Sequence, residues 1–598
     1  MIKVSDYVIK FIEALGVKEV FTVSGGGSIF LCDSLQRSKT VKYVACHHEQ
    51  AASIATEGYA RTRGDIGVTI VTTGPGGTNA VTGIAGSWMD SIPHLCISGQ
   101  SFLSQTIGNS GLRQLGVQEI NIADIIRPIT KYAVMIEDAQ TIRYHLEKAV
   151  YLAKSGRPGP VWVDIPANIQ NTLVDEATLK SFDENTIQIP EDVNLKEKVS
   201  QLIQKLKISK RPLIHVGQGV KLANRKVQFL KLIEKYNFPI VTARNANDII
   251  ASDHPLFIGR PGTFPQRGAN FAVQNSDFYL AIGTRLSLSQ TGYNSKDFAK
   301  NAFRVMVDID QTELDKKSLI LDLKIHADVR NFLDEFEKQL SDANLKQDHT
   351  DWIKYCKKMQ NKYPVLQKEY VEQTKFVNSY YFTEVLSNIL DKNDVIVTDM
   401  GIAFQGTHQG FKVKQGQKLF TNCGLAAMGW GLPAAVGACF ANNRKRTICI
   451  AGEGGLMMNI QELATMMHHK LPIKLFILNN GGYMTIKQTQ ELGFEGRIMG
   501  CNPESGLSFP DFKVIAQAHG MQFTRLDSHK NLESELQKAI EGSSPFICEI
   551  MMDENQIQAP KAINRRNADG TTRQTPLEDL FPFLDPKEIE ENMIAYKK

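Results

Sequence analysis

The feature that most constrains this chain is an alternation of short β-rich runs with helical patterns along almost its whole length. In the first third the runs are "EVFTVSGG", "KYVAC", "GVTIVTTGPGG", "PHLCISGQ" and "GPVWVDIP". In the second they are "PLIHVGQG", "FPIVTAR", "FYLAIGTR" and "FRVMVDID", and in the last "DVIVTDMG", "RTICIAGEGG", "IKLFILNNGG" and "FICEIMMD". Such runs, spaced by the length of a helix, predict parallel strands joined by crossover helices. At 598 residues the chain exceeds one core, and about three domains fit. Polar stretches near 172–198 and 342–373 read as linkers. The expected architecture is α/β: three doubly wound parallel-sheet domains over 1–180, 190–345 and 370–555, followed by a polar tail, 556–598, that is a candidate lid.

Composition narrows the partners. A net charge of +4 is small for this length, so neither a nucleic-acid partner nor a basic membrane patch is expected. No apolar run is long enough to span a bilayer. The first residues place Val4, Val8, Phe11, Ile12 and Leu15 on one face, which predicts an amphipathic helix of the fold and not a signal peptide. Nine cysteines lie scattered without a Cys-x-x-Cys pair, which suits a reducing cytoplasm and argues against zinc.

The chemistry is concentrated at strand ends. In "TICIAGEGGLMMN" an apolar run stops at Gly452-Glu453-Gly454-Gly455 and becomes helix-like. Glycines there let backbone N–H groups cradle a phosphate, and a carboxylate in such a cradle makes sense if a divalent cation lies between them. Asn480 ends the next apolar run 27 residues on, one strand–helix–strand crossover away, so both residues are expected at carboxyl ends of neighbouring strands. Glu453, the Asn480 amide oxygen and a nearby carbonyl such as that of Gly482 form a hard-oxygen set suited to Mg²⁺ or Ca²⁺. Two unrelated strand-end turns are the alternative. In the first third, "ACHHEQAASIATEGYARTRG" puts Glu49 at a strand-to-helix handover beside Ala51, Ala52 and Ile54, apolar surroundings in which a carboxyl readily shares a proton. The helix dipole alone also accounts for a glutamate there.

Taken together and in order, His48-Glu49-Gln50-Ala51-Ala52, Gly74-Pro75-Gly76-Gly77-Thr78-Asn79, "GLAAMGWGLPAAVGA" and Gly452-Glu453-Gly454…Asn479-Asn480 resemble the thiamine-diphosphate (ThDP) enzymes of the acetolactate synthase type. The resemblance covers nearly the whole chain. It implies pyrimidine-binding, central and diphosphate-binding domains, and a cofactor anchored through Mg²⁺ by Glu453, Asn480 and the Gly482 carbonyl. Pro75, Asn79, Gly401, Ala426, Met428, Gly454, Gly455, Gly482, Tyr483 and Met484 are implied cofactor contacts. Met428 would wedge the bent cofactor, the Ala426 carbonyl would accept from its amino group, and Glu49 would be the catalytic acid at the pyrimidine ring. The implied site lies between subunits of a homodimer or homotetramer, with pyruvate and a carbonyl acceptor as substrates. FAD is a further candidate in the central domain, where "HVGQGV", "GRPG" and Gly283-Thr284-Arg285 sit at strand ends.

Several positions depart from that pattern. The usual metal carboxylate is Asp, where this chain has Glu453, and Gly401-Ile402-Ala403 replaces the usual Gly-Gln-His. By alignment, the arginine that grips the carboxylate of a second keto acid falls on Gln290, and an acceptor-sorting tryptophan on Thr489. Loss of a charge-assisted carboxylate contact costs about 1.5–3 kcal/mol. The changed acceptor end is more similar to a side branch that transfers a two-carbon unit from pyruvate to a nucleotide-linked keto sugar. Gln100, Gln118 and Lys131 are candidate polar lining for the substrates. Acetolactate synthase itself, a 2-keto acid decarboxylase or oxidase, and a non-catalytic homologue are the alternatives.

Overall fold

The computed structural model describes residues 1–187, 193–294, 296–345, 347–566, 569 and 571–594. It contains three six-stranded sheets in which every strand pairing is parallel. The first sheet runs Lys42–Ala45, Glu19–Thr22, Gly67–Val71, His94–Gln100, Pro160–Pro166, Tyr132–Met135 from edge to edge. The third runs Lys418–Phe420, Val395–Thr398, Thr447–Gly452, Ile473–Asn479, Phe546–Met551, Gln522–Leu526. Numbered by chain order within each sheet, both read 2-1-3-4-6-5, so these two domains share one topology. The central sheet runs Phe257–Gly259, Ile240–Thr242, Pro212–Val216, Phe278–Ile282, Phe303–Asp308, Leu323–His326. Its order, 3-2-1-4-5-6, is that of dinucleotide-binding folds.

Every run picked out from the sequence contains a strand. Within the three six-stranded sheets the strands it missed are Tyr132–Met135, Phe257–Gly259, Leu323–His326, Lys418–Phe420 and Gln522–Leu526, and each lies at a sheet edge. It also missed the two-residue and three-residue strands of two small antiparallel pairs, Ile2–Lys3 with Leu173–Val174 and Asn564–Arg566 with Thr572–Gln574. Inner strands of a parallel sheet are covered by helices on both faces and so read as continuous apolar runs. Edge strands are shorter or half-exposed: Gln522–Leu526 has no buried residue. The N-terminal helix Val4–Ala14 forms as expected, burying Val4, Val8, Ile9 and Ile12.

One continuous apolar core joins the first and third domains, whereas the central sheet carries its own core on each face. The junction is the helix pair Glu49–Arg63 and Gly431–Ala441. A Cβ on Gly437 would stand 1.7 Å from the Ala55 carbonyl oxygen, and one on Gly58 2.2 Å from that of Ala434. Glycine is what allows these backbones to touch. The C-terminal tail runs along the central domain. From the helix Arg267–Asn275, Arg267 donates to the Leu580 and Pro582 carbonyls, Asn270 to Leu577, Gln274 to Glu578 and Asn275 to Asn592. Among the described residues no helix is long and apolar enough to cross a membrane.

Candidate functional site

In the third sheet the switch point lies between Val395–Thr398 and Thr447–Gly452, where successive connections leave in opposite directions. Ligands of open α/β sheets bind in the crevice at such a point. Gly401 and Glu453 flank it. Glu453 opens the helix Glu453–Met457 and is 1% exposed. Its Oε1 accepts from the backbone N–H of Asn480 at 3.1 Å and of Gly482 at 2.8 Å. As the spacing predicts, Asn480 follows the neighbouring strand, Ile473–Asn479. Burial pushes the Glu453 carboxyl up to about 7 against the lowering effect of these N–H groups. Among the described residues no Lys or Arg forms an ion pair with it. A buried carboxylate, an adjacent amide and a turn carbonyl, with no cationic side chain, form a donor set that fits a hard divalent cation.

The glycines around Glu453 divide into two groups. Those at 454, 455 and 482 are packed from behind: a Cβ would lie 2.1 Å from the Tyr483 ring, 2.7 Å from Asp399 Oδ2 and 2.2 Å from the Cys501 carbonyl, respectively. Gly401, at φ +72°, and Gly452 face open space. The crevice is therefore walled by backbone, as a phosphate cradle requires. Tyr483 donates its N–H to Cys501 at 2.7 Å, while the Met484 side chain belongs to the core beneath the sheet.

Sequence reasoning missed Asp399. This buried carboxylate accepts from Met400 N at 2.7 Å and Gly429 N at 3.1 Å, touches the Gly455 position, and so ties three turns of the crevice together. Burial pushes it up to about 6. An acid directly after an apolar run, in "VTDMG", was the available signal. Beside it, Ala426 sits at φ +61°, a left-handed conformation costly for a residue with a Cβ. Its N–H donates to Asn422, to both the carbonyl (3.1 Å) and Oδ1 (3.0 Å). The Asn422 amide in turn donates to Glu57 at 3.2 Å, and Trp430 Nε1 donates to the same carboxylate at 2.8 Å. Arg61 bridges Glu57 and Asp90 at 2.6 Å each. A buried polar network from the first domain thus fixes the turn that presents Ala426, which is exposed, and Met428, which is half-buried.

In the first domain Glu49 begins the helix Glu49–Arg63, capped by His48, whose Nδ1 accepts from Gln50 N at 3.1 Å. The Glu49 carboxylate accepts from Asn79 Nδ2 at 3.0 Å and lies 3.7 Å from the Cβ position of Gly76. Two motifs 30 residues apart are thus brought together. Pro75 starts the next helix, Pro75–Met89, in the position where its missing N–H costs nothing.

The candidate substrate residues do not form one cluster. Gln100 is 1% exposed and its carboxamide is committed: Oε1 accepts from Thr73 and Ser101 N, and Nε2 donates to Ile120 and Asp164. Gln118, at φ +61°, is exposed, with its carbonyl against Gly74. Lys131 lies at the opposite, amino-terminal end of the same sheet. Its N–H donates to Pro160, which pairs with His94, whereas Gln100 pairs with Pro166. Six strand residues separate these levels, about 20 Å. Burial brings the Lys131 ammonium down to about 8, and Nζ donates to the Ser155 carbonyl at 2.5 Å. Gln290 is buried in the central domain, bonded to Thr284 and His215. Thr489 is exposed on the helix Met484–Gly493 and caps back to Thr485.

The central sheet has its own switch point, between Pro212–Val216 and Phe278–Ile282, and a cavity of about 340 Å³ opens there. Gln218, Gly219, Gly283, Thr284 and Arg285 line it, as does Arg244. Arg244 lies over the Phe404 ring at 5.2 Å and makes no ion pair among the described residues; burial holds its pKa below the usual range.

Large apolar side chains stand exposed at the carboxyl ends of the outer two sheets. They are Leu112, Leu115 and Val117 in the first domain, and Leu492, Phe494 and Met499 in the third.

Comparison with known proteins adds to this geometry. Residues 2–125 match the N-terminal TPP binding domain of thiamine pyrophosphate enzymes, residues 199–336 their central domain, and residues 399–550 their C-terminal TPP binding domain. The chain is 31% identical over 557 residues to the acetolactate synthase large subunit of Lactococcus lactis, covering 93% of each. It is 29% identical over 549 residues to the acetolactate synthase isozyme 1 large subunit of Escherichia coli, covering 92% of this chain and 94% of that one. A probable acetolactate synthase large subunit of Methanocaldococcus jannaschii is 32% identical over 565 residues, 92% of each.

Proposed function

The chain belongs to the thiamine pyrophosphate enzymes, and from that premise we propose that it decarboxylates pyruvate and joins the remaining two-carbon unit to an acceptor carbonyl, as an acetolactate synthase-like carboligase. The observation that carries this reading is the buried Glu453 carboxylate, set without a cationic partner among the described residues at the third-sheet switch point. Bound there, ThDP supplies a nucleophilic carbon and an electron sink for decarboxylation. The rest falls to the chain. Glu453, Asn480 and the Gly482 carbonyl hold Mg²⁺. The backbone at Gly401, Gly454 and Gly455 receives the diphosphate. Ala426 and Met428 orient the pyrimidine, and Glu49, kept in place by Asn79, holds a proton at its carboxylate oxygen for the ring nitrogen.

Glu49 of one chain meets the Glu453 crevice of another in this reading, so the working unit is a homodimer or homotetramer. The exposed apolar residues around Val117 and Phe494 support it, since such patches are covered in assemblies. FAD is the proposed occupant of the central switch-point cavity, which offers Arg244 as a cation without a carboxylate partner among the described residues. All nine cysteines are free thiols, which favours a cytoplasmic setting.

For the acceptor, a second keto acid is the first reading, on the strength of relatives named acetolactate synthase over nine-tenths of the chain. A nucleotide-linked keto sugar is the second, and rests on Thr489, small and exposed where a bulky sorting residue is expected. Gln290 does not separate them, because its carboxamide is engaged within the central domain. The test is NMR of products from ¹³C-labelled pyruvate, alone and with a panel of nucleotide-linked keto sugars. Steady acetolactate supports the first reading; decarboxylation with label appearing only in a sugar supports the second.

A further inference from the structure

A second cavity, about 380 Å³, lies where all three domains meet. The first domain contributes Arg63–Asp65 and the Ile92-Pro93 turn, the central domain Lys221, Lys226 and Asp248, and the third domain Lys418 and Phe420. Lys418 begins its strand opposite Val395, and Asp65 precedes Gly67–Val71, so this cavity opens at the amino ends of the outer sheets. The Glu49 and Glu453 sites are at the carboxyl ends.

Its charges are unbalanced. Asp248 spends one carboxylate oxygen on Lys221 at 2.6 Å and the other on Leu419 N at 3.3 Å, and Lys154 is paired with Asp65 at 2.8 Å. Lys226 reaches only the Asp248 carbonyl, at 2.6 Å, and Lys418 only the Thr62 carbonyl. Neither forms an ion pair with a carboxylate within 4.0 Å among the described residues. Both are half-buried, and burial holds both pKa values below the usual range; the nearby Asp248 charge opposes this and the like charge of Lys221 adds to it. Each ammonium has three donors, so Lys226 and Lys418 retain unused ones beside an apolar floor of Ile92, Pro93 and Phe420. Two unpaired ammonium groups converging on a concave, partly apolar site attract an anion with several acceptor oxygens, and lysine serves phosphate well as a point charge.

We propose that this three-domain junction is a binding site for a phosphate-bearing polyanion, held by Lys226 and Lys418, which fastens the three domains to one another. Gln218 and Leu222 line both this cavity and the central one, so the experiment must tell the two apart.

The probe is inorganic diphosphate, titrated calorimetrically into the full chain with ThDP, FAD and Mg²⁺ in constant excess, so that sites for those groups are filled. The expected result is one diphosphate per chain. Lys226→Met with Lys418→Met should weaken it at least tenfold, and Lys226→Arg with Lys418→Arg should retain it. Absence of binding, equal binding by the methionine variant, or binding that is seen only when FAD is left out would overturn the proposal. A second measurement needs no variant. Pyridoxal phosphate followed by borohydride should mark Lys226 or Lys418 ahead of other lysines, with diphosphate protecting them. Labelling spread evenly over the lysines counts against the site.

Discussion

Glu453 gives the most quantitative prediction. Without a cation its carboxyl is held at about 7, against an ordinary 4.5. A raised folded-state pKa means that the folded chain binds the proton more tightly than the unfolded one. Stability is therefore fully present below about 4.5 and is lost as pH rises through about 7. Each pKa unit is worth about 1.4 kcal/mol, so ionising this buried group costs the cation-free protein about 3–4 kcal/mol over that window. Magnesium and ThDP bind the ionised form and must expel the proton. Calorimetry in buffers of different ionisation enthalpy should detect about 0.9 proton released per site at pH 6, about 0.5 at pH 7 and about 0.1 at pH 8. Apparent affinity should fall about fivefold between about pH 7 and pH 6 if no other group contributes. Glu453→Gln keeps an acceptor for the Asn480 and Gly482 N–H groups but removes the charge. It should leave the cation-free protein as stable or more stable at pH 8, abolish the proton release, and weaken Mg²⁺–ThDP binding. Wild-type affinity in Glu453→Gln, or no proton release at pH 6, would refute the assignment of this carboxylate to a cation.

Other expectations follow from packing and position. Gly437→Ala inserts a methyl 1.7 Å from the Ala55 carbonyl; overpacking of this kind costs about 1–3 kcal/mol and outweighs the helix-propensity gain of about 1 kcal/mol, so the denaturant midpoint should fall. Ala426→Pro cannot adopt φ +61° and loses the N–H held by Asn422, so ThDP affinity measured by fluorescence titration should drop more than tenfold, with helix content by circular dichroism retained. Lys131→Met, at the far end of its sheet, should leave pyruvate turnover within about twofold, a span of about 0.4 kcal/mol; a larger loss would place that end near the reaction.

The inner strands and the two strand-end motifs were legible because burial on both faces and tight backbone approach leave strong local marks. Most edge strands leave weaker ones: "KYVAC" at the edge of the first sheet stands out, but "KLF" at 418–420 and "QFTRL" at 522–526 are too short or too polar to do so. The placement of Asn480 against Glu453 could be anticipated from crossover length, whereas the contact of Asn79 with Glu49 emerges only from the structure. Residues far apart in sequence could not be placed that way. The link from Glu57 through Asn422 to Ala426 spans two domains and depends on the helix contact at Gly58 and Gly437. Lys131 and Gln290 illustrate the same limit. Lys131 reads as polar lining and Gln290 is reached by alignment, but only the sheet order reveals that Lys131 is at the amino end, and only the hydrogen bonds to Thr284 and His215 reveal that Gln290 is engaged. Asp399 went unnoticed because its role is to hold three turns, and no periodicity records that.

The most direct test of the central claim is the release of labelled CO₂ from [1-¹³C]pyruvate by the purified chain. The account predicts release that requires both ThDP and Mg²⁺ and falls by at least a hundredfold in Glu49→Gln, about 2.7 kcal/mol of barrier. A protein that binds Mg²⁺–ThDP yet releases no CO₂ from pyruvate, or a Glu49→Gln variant as active as the wild type, would contradict it.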